Sequence, residues 1–391
     1  MEKMNVGMIG GGFMGNAHSN AWKNAGNFFE LDIEPVMKVV CAKSEKTAQK
    51  QSAKWGWQES ETDWHKVIAR KDIDIIDISV PTYLHRDIAV EAAREGKHIF
   101  CEKPVALNSA QAEEMYEAAE KYKVVHYLNH NYRRCPAVVL ARQLIEEGKI
   151  GKIFHWRGAY LQDWINNSDF PLVWQLQKEF AGAGPHFDLN SHSIDLARYL
   201  VGDISSVSAM TTNFIEERPI AETGGPTAFS AKTKEKKTGK VTVEDASFMI
   251  VQFKNGALGS FEASRFASGR KNYNYFEIYG SRGSCIFNLE RMNELQFFST
   301  EDPSYEQGFK TILATESVHP YMSHWWPPGH IIGYEHEFHH AVVDFLHAIA
   351  TGGRIEPNFF DGIKIMETLE AAMESSATGK KVLSFEKEVI R

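Results

Sequence analysis

Through roughly the first 130 residues, short apolar runs alternate with longer stretches whose apolar positions recur every three or four residues. That rhythm predicts parallel strands joined by helices. The expected strands are Asn5–Ile9, Val36–Cys41, Ile73–Val80, His98–Cys101 and Val124–Leu128, with helices over Ala17–Ala25, Ser44–Lys54, Leu84–Glu95 and Ser109–Lys121. Asn108 and Ser109 are N-cap candidates for the last of these. After Tyr132 the rhythm changes. A helix near Ala137–Glu147 leads to a strand Ile153–Leu161, a loop rich in Trp, Asn and Asp, and a helix over Phe187–Leu200. Strand-like runs follow at Val207–Phe214, Ser247–Phe253, Ala257–Ala263, Tyr273–Tyr279 and Ser284–Leu289, several of them joined by Asn-Gly and Gly-Ser-Arg-Gly turns. Such spacing predicts a mainly antiparallel sheet. Ala221–Lys240 reads as a surface loop, and helices are expected near Tyr334–Thr351 and Asp361–Ser376. The pattern divides the chain into an α/β domain over 1–130 and an α+β domain over 131–391, an open sheet with helices on one face.

Composition narrows the class. The chain has 391 residues, too many for one ordinary core, so two domains are expected. A net charge of −8 argues against a nucleic-acid partner. The four cysteines (Cys41, Cys101, Cys135, Cys285) are scattered, which suits reduced thiols and a cytoplasmic location. Neither a signal peptide nor a membrane-spanning run is evident.

The first strand runs directly into Gly10-Gly11-Gly12-Phe13-Met14-Gly15, a Gly-x-Gly-x-x-Gly carried by Gly10, Gly12 and Gly15 and followed by a helix. In that setting the glycines give a tight turn, close backbone approach to a pyrophosphate, and close helix–strand packing, while the helix N-terminus receives the anion. The expected cofactor is therefore NAD or NADP on a Rossmann-type domain. Enzymes that take NAD place an acid at the end of the second strand; here Ala42-Lys43-Ser44 stand there. Ala42 does not repel a 2′-phosphate and Lys43 and Ser44 can bind one, so the residues lean toward NADP.

Ligands of such sheets bind beyond the C-terminal strand ends. Val80-Pro81-Thr82-Tyr83-Leu84-His85 and Glu102-Lys103-Pro104 fall there, placing Pro81, His85 and Glu102 by the cofactor. Lys103 at a strand end can donate to a substrate oxygen, although Glu-Lys-Pro also reads as a solvated charge pair before a turn. On one helix Asp188 and His192 share a face, where the carboxylate would raise the basicity of the imidazole and orient it as a general base. A structural surface pair has the same spacing. In Tyr160–Trp174, aromatic rings stand beside amides and carboxylates, a composition suited to a sugar or to packing under a loop. His336-Glu337-Phe338-His339-His340 matches the zinc-hydrolase helix motif. His336 and His340 fall nearly opposite the apolar face and no third ligand is evident, so no metal is expected and a surface or oligomer-contact role is.

Gly10–Gly15, Glu102-Lys103-Pro104 and Gly184-x-x-x-Asp188-x-x-x-His192-x-x-Asp195 together resemble the Gfo/Idh/MocA oxidoreductase family, over essentially the whole chain. Asn131-Tyr132-Arg133-Arg134-Cys135-Pro136, Tyr160-Leu161-Gln162-Asp163-Trp164 and Glu217-Arg218-Pro219 are most similar to its anhydrosugar and glycoside dehydrogenases. The resemblance implies hydride transfer between a nicotinamide and a ring carbinol of a sugar or cyclic polyol, with Lys103, Asp188 and His192 as the catalytic group. It implies a cis peptide before Pro104, substrate contacts from Asn131, Arg133, Tyr160, Gln162 and Trp164, and a homodimer or homotetramer paired through the open sheet face. Inositol oxidation, sugar–sugar hydride exchange on a tightly held cofactor, and a non-catalytic sensor are the alternatives.

Overall fold

Residues 2–220 and 237–384 are described in the computed structural model. They divide into two units: residues up to Arg134 together with Ile332–Ile363, and Cys135–Ile331 together with the residues from Lys364 on. The segment 332–363, placed by its sequence position in the second domain, thus packs with the first unit.

In the first unit, β1 (Glu2–Ile9), β2 (Ile33–Cys41), β3 (Glu59–Glu61), β4 (Ile75–Ile78), β5 (His98–Cys101) and β6 (His126–Leu128) form one sheet in the order β3-β2-β1-β4-β5-β6. Every pairing in it is parallel. Ile75, Ile76, Asp77 and Ile78 are all buried, as expected when helices cover both faces of a parallel sheet. Strand order reverses between β1 and β4, the switch point beyond which a crevice opens for ligands. The helix after β1 is Phe13–Asn24 rather than Ala17–Ala25, because the glycine turn feeds it without a linker. Asn108 is the N-cap of Ser109–Tyr122, accepting from Gln111 N at 2.9 Å.

In the second unit, β7 (Ile153–Leu161) and β8 (Ile204–Thr212) are followed by a small antiparallel pair, β9 (Glu217–Pro219) and β10 (Thr238–Lys240). Between these, 221–236 of the expected surface loop lie outside the described residues. With β11 (Ala246–Phe253), β12 (Leu258–Ser264), β13 (Tyr273–Gly280), β14 (Gly283–Asn288), β15 (Glu294–Ser299), β16 (Lys310–Leu313) and β17 (Val382–Leu383), the large sheet runs β16-β15-β14-β13-β7-β12-β11-β8-β17. It is mixed. The β7–β12 pair is parallel, with helices and four strands intervening between them in sequence, and the other pairings are antiparallel. Along β11, buried Ser247, Met249, Val251 and Phe253 alternate with exposed Phe248 and Ile250. One face is therefore core, packed by Pro185–Asp188 and Asn190–Leu200, and the other is open.

Candidate active site

The glycine turn meets the demands of its motif one residue at a time. Gly10 has φ of 133°, and a Cβ there would stand 2.2 Å from the Ser79 carbonyl oxygen. A Cβ on Gly15 would stand 2.2 Å from the Gly10 carbonyl oxygen, so close helix–strand packing requires glycine there too. Gly12 is different. Its φ of −85° suits any residue, and a Cβ there meets nothing within 4 Å. Among the described residues nothing demands a glycine at Gly12, whereas a pyrophosphate approaching the backbone would. The residues present fit a dinucleotide. No side chain caps the following helix, and Phe13 at its first turn is half-exposed and stacks on Tyr334, with Met14 beside it. At the end of β2, Ala42 lies near this turn, its Cβ 3.1 Å from where one on Gly11 would be. Ser44 caps Glu45–Trp55, its hydroxyl accepting from Thr47 N at 3.3 Å, and Lys43 is exposed.

Beyond β4 and β5 the two strand-end loops are tied together. The buried His85 ring lies 2.9 Å from the Val80 carbonyl and 2.9 Å from the Pro104 carbonyl, and burial holds its pKa below the usual value. Pro81 is part-buried in the first of these loops, and the Lys103–Pro104 bond in the second is cis. Glu102 is no solvated partner of Lys103. Its carboxylate is buried, accepting from Asn129 Nδ2 at 2.6 Å and from the Lys103 amide at 3.1 Å, with His18 Nε2 at 2.9 Å. The other His18 nitrogen sits 2.9 Å from both oxygens of Asp77, which also accepts from Trp22 Nε1 at 2.6 Å. Burial opposes a charge on His18, yet the two flanking carboxylates outweigh it and hold its pKa at about 10. Burial likewise opposes ionisation of Glu102, but His18 and Lys103 keep its pKa below the usual range. An imidazolium between two carboxylates therefore underlies the backbone of Lys103.

The second unit gathers the remaining candidates into a shelf. The Tyr160 ring packs edge-on against His192, with centroids 5.7 Å apart, and its hydroxyl donates to Asn272 Oδ1 at 2.7 Å. Asn272 also accepts from Gln162 Nε2 at 3.0 Å, and Gln162 in turn accepts from Trp164 Nε1 at 2.8 Å. The Arg265 guanidinium lies over the Trp164 ring at 5.2 Å and donates to Asp188 Oδ2 at 2.7 Å. Tyr160, Gln162, Trp164, Asp188 and His192 are thus brought together. Arg218 holds their loop from beneath through the carbonyls of Asn167 and Ile165. The helix expected over Phe187–Leu200 is two segments, Pro185–Asp188 and Asn190–Leu200, with Asp188 and His192 on opposite sides of the break. Gly184 opens the first segment where a Cβ would stand 2.0 Å from the Glu244 carbonyl oxygen.

Arg265, Asn272, His18 and Asp77 escaped the sequence reading, since none sits in a recognisable spacing. Asn131 and Arg133 stand in the first unit with buried side chains turned to acidic residues: Asn131 Nδ2 donates to Glu337 Oε2 at 2.7 Å, and Arg133 Nη2 lies 3.5 Å from Asp361 Oδ1. The expectation that His336 and His340 line a surface is corrected. His340 is fully buried, with Nδ1 2.9 Å from the Arg134 carbonyl, and His336 is part-buried. Their helix, Tyr334–Thr351, packs against both Phe13–Asn24 and the turn Asn131–Arg134, so a rule assuming one apolar face fails. Burial raises the Glu337 pKa to about 8, leaving it protonated at neutral pH, unlike the ionised base of a zinc hydrolase.

Residues 4–130 match the oxidoreductase family model with an NAD-binding Rossmann fold, and residues 138–286 match the GFO/IDH/MocA C-terminal domain. The chain is 43% identical to levoglucosan dehydrogenase of Pseudarthrobacter phenanthrenivorans over 96% of this chain and 97% of that one. A levoglucosan dehydrogenase solved in complex with NADH and levoglucosan superposes with a TM-score of 0.92 at 42% identity, covering 98% of this chain and all of that one. Myo-inositol 2-dehydrogenase of Thermotoga maritima is 26% identical over 72% of this chain and 74% of its own length. Among the described residues no helix is long and apolar enough to cross a membrane.

Proposed function

Because the chain belongs to the Gfo/Idh/MocA oxidoreductase family, we propose that it oxidises a ring carbinol of a sugar or anhydrosugar, with levoglucosan the first candidate and C3 the proposed carbon. The observation that carries this reading is the shelf of Tyr160, Gln162, Trp164, Asp188 and His192. Its aromatic faces suit the C–H faces of a pyranose, and its amide and carboxylate oxygens suit the hydroxyls. When bound, the nicotinamide takes up the hydride. His192 receives the hydroxyl proton on its imidazole, Lys103 donates from Nζ to the carbinol oxygen as charge develops, and Asp188 orients the sugar. An assay with NAD+ and NADP+ against levoglucosan, glucose, glucosides and inositols tests this reading. Turnover confined to inositols moves the assignment to the polyol branch, as the inositol dehydrogenase similarity allows. No turnover on any of them, with cofactor that survives desalting, points to sugar–sugar exchange.

For the cofactor we propose NAD(H) in place of the NADP toward which Ala42-Lys43-Ser44 lean, because the matched family model is NAD-binding and the 42% identical levoglucosan dehydrogenase is solved with NADH. Of the residues that lean toward a 2′-phosphate, Ser44 is engaged in capping its helix, which leaves Lys43 as the cation. Replacing Ala42 by Asp is expected to raise the NAD/NADP ratio of kcat/KM by ~10-fold or more, since an acid there repels a 2′-phosphate and accepts from a 2′-hydroxyl. An unchanged ratio would show that Ala42 does not stand beside the ribose.

We also propose a homodimer, or a tetramer of such dimers, paired through the open sheet face. Met210, Phe248, Ile250 and Leu258 share that face with half or more of their surface exposed, beside an Arg157–Glu277 pair flanked by Tyr275 and Tyr279. A monomer seldom leaves so much apolar surface to water. Ile250→Lys should lower the particle mass in light scattering while leaving NAD affinity unchanged. A 44.3 kDa wild-type particle at micromolar concentration removes the proposal.

A further inference from the structure

Arg265 directly follows β12, and Gln162 directly follows β7, the strand parallel to it; the Gln162 backbone amide donates to the Ser264 carbonyl at 2.8 Å. The parallel pairing therefore delivers Arg265 to the same sheet end as the loop that carries Trp164. Its side chain is 1% exposed, whereas the Asp188 side chain it meets is 35% exposed. One guanidinium nitrogen donates to Asp188 Oδ2 at 2.7 Å, the other reaches toward the Gln175 carbonyl at 3.5 Å, and the planar group lies over the Trp164 ring at 5.2 Å. A buried arginine bonded to a part-exposed carboxylate differs from a surface ion pair, because the cation has no access to water and its geometry is set by packing.

We propose that Arg265 is the positioning residue of the sugar site, a clamp that fixes the Asp188 carboxylate and the Trp164 indole relative to one another. The sugar then meets a hydrogen-bond acceptor and a stacking surface at one set spacing. The assignment rests on the dehydrogenase reading and deepens it. It also gives Asp188 a role apart from raising the basicity of His192, since one carboxylate oxygen is held by a cation. Lysine cannot replace the clamp. An ammonium neutralises Asp188 but offers neither the planar fork nor the flat face that lies on Trp164.

The test compares wild type, Arg265→Ala and Arg265→Lys on whichever sugar the wild type oxidises. Arg265→Ala should lower kcat by ~10²-fold, the scale of loss when a reacting group is misplaced by about 1 Å. Its KM for NAD should stay within about twofold, because the contacts of the Arg265 guanidinium are with Asp188, Gln175 and Trp164, none of them a cofactor-binding candidate. Millimolar methylguanidinium should restore at least a tenth of the lost rate to Arg265→Ala, and methylammonium should not. Arg265→Lys should stay ~10-fold below wild type. A near-wild-type kcat in either variant, or equal rescue by both amines, overturns the clamp; so does a parallel loss of NAD binding, which would mark Arg265 as structural. Should Arg265→Ala fail to fold, Arg265→Lys decides alone. Wild-type turnover across the sugar panel reports separately on the dehydrogenase reading, so the two failures are distinguishable.

Discussion

Lys103→Ala and His192→Ala are each expected to lower kcat by ~10²–10⁴-fold, the range for removing a positioned acid–base group, with NAD affinity and folding nearly intact. Lys103 follows the end of β5, on a backbone whose amide is bonded to the buried Glu102 carboxylate. Truncation removes the Lys103 charge near that carboxylate but keeps the backbone amide and the His18 and Asn129 contacts that hold it. His192 is buried on the Asn190–Leu200 helix beside Tyr160, and its loss leaves Asn272 and Gln162 bonded to one another. Measuring kcat and KM on the sugar the wild type prefers, with NAD affinity from tryptophan quenching, checks both. A variant that kept near-wild-type kcat would strip that residue of its role. A low kcat with weakened NAD binding would place it in cofactor binding instead.

His18→Ala is expected to destabilise the protein by ~3–5 kcal/mol, the cost of leaving buried charge without its partner. Asp77 and Glu102 would both remain buried with no cation between them. The network also predicts a pH profile. Folded His18 holds its proton to about 10, whereas an imidazole in the unfolded chain releases it near 6.5. The stabilisation from His18 is therefore complete below pH 6.5, declines as pH rises, and is gone once pH passes about 10. Glu102, with its pKa depressed, adds stabilisation that is complete above 4.5 and lost as pH falls through its folded value. Urea melts of wild type and His18→Ala between pH 6 and 10 should converge as pH rises. Parallel curves would mean that His18 is neutral in the fold.

What the sequence determined by itself is what short-range physics encodes. The glycine turn, the Asn108 cap and the parallel α/β rhythm depend on residues within about one turn or one strand of each other, and all are present in the structure. The order of motifs along the chain likewise pointed to the family. Tertiary structure alone decided which side chains those motifs meet. His18 reaches Glu102 across 84 positions of sequence and Arg265 reaches Asp188 across 77, and no periodicity links residues so far apart. Glu102 could be read as a solvated charge because burial depends on what packs over a strand end, not on its neighbours in the chain. The helix Tyr334–Thr351 misled for a related reason. Its pattern marks one apolar stripe, but several elements of the first unit pack against it, and the turn Asn131–Arg134 meets His340 through a backbone carbonyl that a hydrophobic pattern cannot register.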